Sequence, residues 1–144
     1  MLSRERTMSR RRAVQAIYQW QEAGQSINDI ENQFLTEQDM SRADVAYFQE
    51  LLHKVPKHLD DIDECMKPHL DRDMTELDSV ERAILRIGVY ELKYRMDIPF
   101  RVIINEGVQS AKVYGADQSH KYINSILDNV SKELRQLERQ NQSR

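Results

Sequence analysis

The sequence predicts an all-α fold, and three observations predict it. Apolar residues recur at spacings of three and four along the chain, which places them on one face of a helix. Alternating runs of β-branched residues, the mark of a half-buried strand, do not occur. The breaks between periodic stretches carry Ser, Asp, Gly or Pro, the residue types that start and stop helices.

The first helix is expected from about residue 9, in RRRAVQAIYQWQEAG, with Val14, Ile17 and Tyr18 at helical spacing and Gly24 closing it. That boundary puts Arg10 and Arg11 in the first turn. Positive charge is disfavoured there by the helix dipole, so both are better placed to meet an anion near the free N–H groups than to stabilise the helix. A second helix spans residues 26–38, with Ile27, Ile30, Phe34 and Leu35 inward. Ser41 and Asp44 then form a capping-box pair ahead of Val45, Phe48, Leu51, Leu52 and Val55. Pro56 is expected to interrupt this helix. A short helix over residues 57–66 ends at Pro68, and residues 69–77 connect, with Leu70, Met74 and Leu77 tucked in.

Residues 78–128 are the centre of the chain. Asp78, with Glu81 three positions on, is an acid-first capping box. Behind it, Val80, Ala83, Ile84, Ile87 and Tyr90 form one apolar face and Leu85, Val89 and Leu92 a second, so this helix must be wrapped by neighbours. Pro99 stops it and suits the start of the next, residues 100–114, which is apolar on two sides. Gly107 costs roughly 1 kcal/mol in mid-helix against alanine, so either another backbone comes close there or a weak position is tolerated. Gly115 is expected to end this helix in the left-handed conformation. The last helix opens near Asp117 or Ser119, with Tyr122, Ile123, Ile126, Leu127, Val130, Leu134 and Leu137 as its stripe; Lys121, Asn124, Asp128, Lys132 and Arg135 point to water. The polar tail beyond Leu137 is expected to fray. The helices divide into an N-terminal set to about residue 77 and a C-terminal set over 78–139, two small helical bundles sharing one core in a single domain.

At 144 residues the chain can bury about two-thirds of its extended surface. No run of eighteen apolar residues exists, so no membrane span is expected, and MLSRERTMSRRR lacks the apolar centre of a secretory signal, which leaves the cytoplasm. Cys65 is alone and can form no intramolecular disulfide. The first twelve residues hold five arginines against one glutamate, a balance of +4, which leaves −7 on the remaining 132 given the net charge of −3. A basic arm therefore precedes an acidic body. It is either a solvated end or a phosphate-binding element, since arginine pairs with phosphate in a forked geometry.

Catalytic patterns are missing. His53, His58, His69, His120 and Cys65 lack metal-ligand spacing, and Asp60, Asp61, Asp63 and Glu64 read as a solvated charge run. Four glycines make no phosphate-cradling loop, and no Ser-His-Asp arrangement can be picked out. Neither metal nor cofactor is expected. Binding remains: Lys121 and Tyr122 in the first turn of the last helix can meet a phosphate and a stacked base, although Tyr122 is equally readable as core. Tyr18 and Trp20 are likewise core or a partner-facing patch. Positive charge on the arm and at the start of the last helix is expected to lie side by side, forming one docking surface for a polyanion.

The segments RRRAVQAIYQW, ENQFLTEQDM, MKPHL, VERAILRIGVYEL, IPFRVIINEGVQSAK and YGADQSHKYINSILD resemble, in order and spacing, the NusB family of bacterial transcription antitermination factors. The resemblance implies a helical fold of two three-helix bundles and no enzymatic activity. It also implies a heterodimer with NusE, a small-subunit ribosomal protein. That heterodimer binds boxA RNA and joins an RNA polymerase complex that suppresses termination, chiefly in ribosomal RNA operons. By position it assigns RNA contact to Arg4, Arg6, Arg10, Arg11, Lys121 and Tyr122, with His69 where close relatives are usually aromatic, and NusE contact to Tyr18 and Glu81. Gln118 stands where many relatives are acidic and Ser125 where glycine is common. Some relatives self-associate, so a homodimer is open. A helical adaptor without direct RNA contact is the alternative.

Overall fold

The computed structural model describes residues 2–142; Met1, Ser143 and Arg144 lie outside the described residues. The described residues form α1 (Leu2–Ala23), α2 (Ile27–Glu37), α3 (Val45–Lys57), α4 (Leu59–Met66), α5 (Ser79–Tyr94), α6 (Phe100–Tyr114), α7 (Ser119–Leu134) and α8 (Gln136–Gln142), with 3-10 turns at Lys67–His69 and Met74–Glu76. They contain no strand, so the all-α expectation holds.

The packing follows from which helices carry two apolar faces. α5, buried continuously from Ala83 to Leu92, is wrapped by α1, α4, α6 and α7. α1 bridges the halves, resting on α5 along one side and on α3 along another, with α2 beside it. One core runs through both groups, from Ile17, Phe48 and Leu51 to Leu85, Leu92, Ile103 and Leu127. Each such fully buried side chain stabilises the fold by about 1.5–3 kcal/mol. A Cβ on Gly107 would come within 2.8 Å of Leu127, and one on Gly88 would too. Leu127 thus sits between two glycines on α5 and α6, so the close approach anticipated at Gly107 is by a side chain.

Helix ends follow local chemistry, with exceptions. Ser26 accepts from the Asp29 amide and Asp78 from the amides of Val80 and Glu81, as the capping patterns require. In α3 the cap is Asp44 itself, accepting from the Tyr47 amide at 3.1 Å, while Ser41 bonds back to Asp39. Pro56 does not interrupt α3 but lies within its last turn. The fixed φ of proline is itself helical, and so close to the end of the helix its cost is confined to the one bond that the Leu52 carbonyl loses. Gly115 is extended (φ −82°, ψ 169°), and the left-handed residue is Gln118 at φ 71°. What position 115 requires is space, since a Cβ there would meet the Ala111 carbonyl and the Ser119 Cβ at 2.8 Å each.

The C-terminal end departs most from the sequence reading. α7 stops at Leu134 and α8 follows after a turn at Arg135, and Leu137 lies in water and not in the apolar stripe. The tail from Leu137 through Gln142 is helical, with Ser143 and Arg144 outside the described residues. Arg135, expected to face water, is 1% exposed. The reason is its partners: its guanidinium donates to the carbonyls of Leu92 (2.8 Å), Ile98 (2.9 Å), Arg95 (2.9 Å) and Glu91 (3.2 Å). It thereby supplies a donor to the Leu92 and Ile98 carbonyls, left open at the end of α5 and in the turn to α6, and a second donor to those of Glu91 and Arg95, which already accept the amides of Arg95 and Ile98.

Candidate nucleic-acid interface

α1 begins at Leu2, well before the expected residue 9, so Arg10 and Arg11 lie in mid-helix, away from free N–H groups. The anion-at-the-first-turn argument therefore does not apply to them. Residues four apart share a helix face, and Arg6 and Arg10 both lie over the Tyr47 ring, at 4.6 and 5.4 Å. Arg10 is 4% exposed and clamped on Glu91, with Nε at 2.9 Å and a terminal nitrogen at 2.8 Å from the same carboxylate oxygen. The Tyr47 hydroxyl donates to that carboxylate as well. Arg10 is thus a buried ion pair and not a surface cation. Arg4 is exposed, and Arg6 and Arg11 are half-buried with each Nε lacking an acceptor.

At the start of α7, Lys121 is exposed and Tyr122 half-buried. The Tyr122 hydroxyl donates to Asp71 at 3.1 Å, and the Arg72 guanidinium lies over its ring at 5.1 Å while holding Asp71 by two bonds. The bonds from Arg72 hold the Asp71 carboxyl below its usual range, while burial and then Asp71 push the Tyr122 hydroxyl up. The ring is thus both packed and reachable, so the two readings of Tyr122 are not exclusive. Glu81 accepts from the Ser119 hydroxyl at 2.8 Å, tying the start of α5 to that of α7. Gln21 on α1 donates to Ser79 at the same end of α5, so Tyr18, 41% exposed and a turn away, belongs to that end as well.

His69 stands apart. Its Nε2 lies 3.0 Å from a Glu133 oxygen, off the line of a hydrogen bond. Eleven residues of α7 separate Glu133 from Tyr122, about 16 Å of helix. Along α5, ten residues separate Glu81 from Glu91, about 15 Å, and these mark the positions of the α7 start and of the arginine arm. The arm and the Lys121–Tyr122 pair therefore occupy opposite ends of α5, which overturns the expectation that they lie side by side. A ligand touching both must be an extended chain. Sequence reasoning missed Arg72: it was read as connector, and nothing in its neighbours shows that the connector folds back onto Tyr122.

The chain matches the model of the NusB family over residues 7–132. The chain belongs to that family. It is 50% identical over 133 residues to the transcription antitermination protein NusB of Alcanivorax borkumensis, covering 92% of this chain and 89% of that protein. To the protein of the same name from Shewanella frigidimarina it is 52% identical over 128 residues, 89% of this chain and 96% of the other. Among solved structures it resembles T. maritima NusB with a TM-score of 0.76 at 29% identity, covering 89% and 91% of the two chains. It also resembles a chain in the crystal structure of antitermination factors NusB and NusE in complex with dsRNA, with a TM-score of 0.81 at 27% identity, covering 90% and 98%. These names belong to transcription antitermination and not to a catalysed reaction. Among the described residues no group of three or more His, Cys, Asp or Glu could hold a metal ion, and no helix is long and apolar enough to cross a membrane.

Proposed function

We propose that this NusB-family chain is a transcription antitermination factor that binds boxA RNA of nascent transcripts together with NusE, within an RNA polymerase complex that reads through terminators. It works in the cytoplasm as one domain, its N-terminal helices to about residue 77 and its C-terminal helices over 78–139 serving as a scaffold, and it carries out no chemistry. The observation that carries this reading is the likeness over 90% of the chain to a structure whose description names NusB, NusE and dsRNA. Supporting it are cations left available at both ends of α5: Arg4, Arg6 and Arg11 on α1, and Lys121 beside Tyr122 on α7. Tyr122 offers a ring for a base, His69 a further ring beside Glu133 near the far end of α7, and Tyr18 with Glu81 the NusE-facing end.

Four neutralised phosphates on a single strand give a slope of about −3 in a plot of log affinity against log salt. A titration of boxA RNA over a salt series should return that slope, and Arg4→Ala/Arg6→Ala should flatten it by about 1.4. The alternative, a helical adaptor whose arm folds onto its own acidic body and touches no RNA, predicts no RNA binding by this chain alone at any salt, with or without the arginine changes.

Glu81→Lys should abolish NusE binding while leaving the helical circular dichroism spectrum unchanged. The change removes one hydrogen bond to Ser119 and puts a cation at a helix start, together about 1–2 kcal/mol. An unfolded variant would show instead that Glu81 acts through the fold.

A further inference from the structure

Between the first turns of α1 and the turn leading into α6 lies a cavity of about 340 Å³, within the range of small-ligand pockets. Ile98, Pro99 and Val102 form its apolar wall, and Arg6, Asp97 and Glu106 its rim. Val102 is 43% exposed although it is aliphatic and in the first turn of α6, and Pro99 beside it is exposed as well. The chain has thus left a small apolar shelf open next to a guanidinium.

The rim charges differ in how far they are committed. Asp97 is held by two bonds from Arg95, and Glu106 accepts from the Thr7 hydroxyl at 2.7 Å. Arg10, which also borders the cavity, is spent on Glu91. Arg6 is committed less: it rests on the Tyr47 ring and faces Asp97 electrostatically, but its Nε is buried without an acceptor. A buried guanidinium donor without an acceptor is costly, and an anionic ligand atom would remove that cost. Phosphate on Arg6 and a flat ring on the shelf together make one nucleotide.

We propose that this cavity is a nucleobase pocket, in which one base of the bound RNA lies against Pro99 and Val102 while its phosphate meets Arg6. The proposal rests on the RNA-binding reading and adds to it a site distinct from the surface at Tyr122. The two carboxylates of the rim accept from amino groups, so the pocket favours adenine, cytosine or guanine over uracil. With the arm at one end of α5 and Tyr122 at the other, it gives the strand a fixed point at the arm end.

The test uses the full chain and boxA RNA, with affinities read by fluorescence anisotropy over a salt series. Val102→Gln changes no charge and sits at an exposed position, and an unchanged thermal melt checks that it folds. It should weaken RNA binding five- to twentyfold, the loss of one stacked base, with the salt slope unaltered. Arg6→Gln should weaken binding and flatten the slope by about 0.7. RNA carrying 2-aminopurine at successive positions should show one position whose fluorescence changes on binding the unaltered chain and not on binding Val102→Gln. If the unaltered chain binds RNA and Val102→Gln stays within twofold of it, the pocket is overturned while the RNA reading stands. If Val102→Gln loses NusE affinity instead, the cavity belongs to a protein contact and the proposal fails. An unaltered chain that binds no RNA at any salt overturns the RNA reading and the pocket with it.

Discussion

Arg135→Met should destabilise the protein by about 3–5 kcal/mol, because removing a buried charged partner strands the groups it satisfied. The guanidinium donates to four carbonyls and also to Glu138 at 2.6 Å. Glu138 in turn accepts from the Phe100 amide at 3.0 Å, and α6 has no side-chain cap of its own. One pair of residues around the α7–α8 joint therefore closes the end of α5 and the start of α6. Methionine fills much of the volume but donates nothing, so the Leu92 and Ile98 carbonyls lose their donor and Glu138 its counter-charge, while the Glu91 and Arg95 carbonyls keep their backbone amides. In a chain of this size a loss of that order lowers the melting temperature by about 10–15 °C. Arg135→Lys should recover only part of the loss, since a point charge cannot reach four divergent acceptors as a fork does. Thermal melts of the three proteins decide it, and a Met variant within about 1 kcal/mol of the parent would remove Arg135 from its capping role.

The second large effect belongs to the pair that ties α1 to α5. Glu91, 1% exposed, is the acceptor for Arg10 and for the Tyr47 hydroxyl. Glu91→Leu leaves a buried guanidinium without a counter-charge and should cost about 3–5 kcal/mol. The double change Arg10→Met/Glu91→Leu should recover most of that, because a buried ion pair replaced as a unit by apolar groups of similar volume is often close to neutral. Denaturant midpoints at unchanged slope give the comparison. Additive losses in the double variant would mean that the two side chains stabilise the fold separately. The result bears on function as well as on stability. If the pair is what holds α1 against α5, Arg10 shapes the basic arm from beneath.

Much of the fold was legible in the residues, for reasons that are local. α2, α5 and α6 begin and end close to where Ser26, Asp78 and Pro99 place their boundaries, because caps and prolines act through groups a few positions away. The two apolar faces of α5 announced that it would be enclosed, and it is. Boundaries without a strong local signal were misplaced. The arm gave no hint that α1 starts at Leu2, since arginine is a good helix former but marks no end. The joint after Leu134 carries neither glycine nor proline, so the apolar stripe seemed to run on to Leu137.

The candidate site divides in the same way. Lys121 and Tyr122 could be named from charge, aromatic character and helix position, whereas Tyr18 was open between core and partner patch and the role of Glu81 came from the family resemblance alone; the structure gathers all four at one end of α5. Composition along the chain determined the class of the protein: helical, acidic in its body, basic at its start, and without the residue patterns of catalysis. Tertiary structure decided which of the charges are available. Arg10 and Arg135 look no different from Arg4 and Lys121 in the sequence, yet two are buried on acceptors contributed by α5 and the turn after it, and two face solvent. The physical reason is that a guanidinium enters the core only where distant backbone or carboxylate oxygens converge on it, and that convergence exists only after the chain has folded.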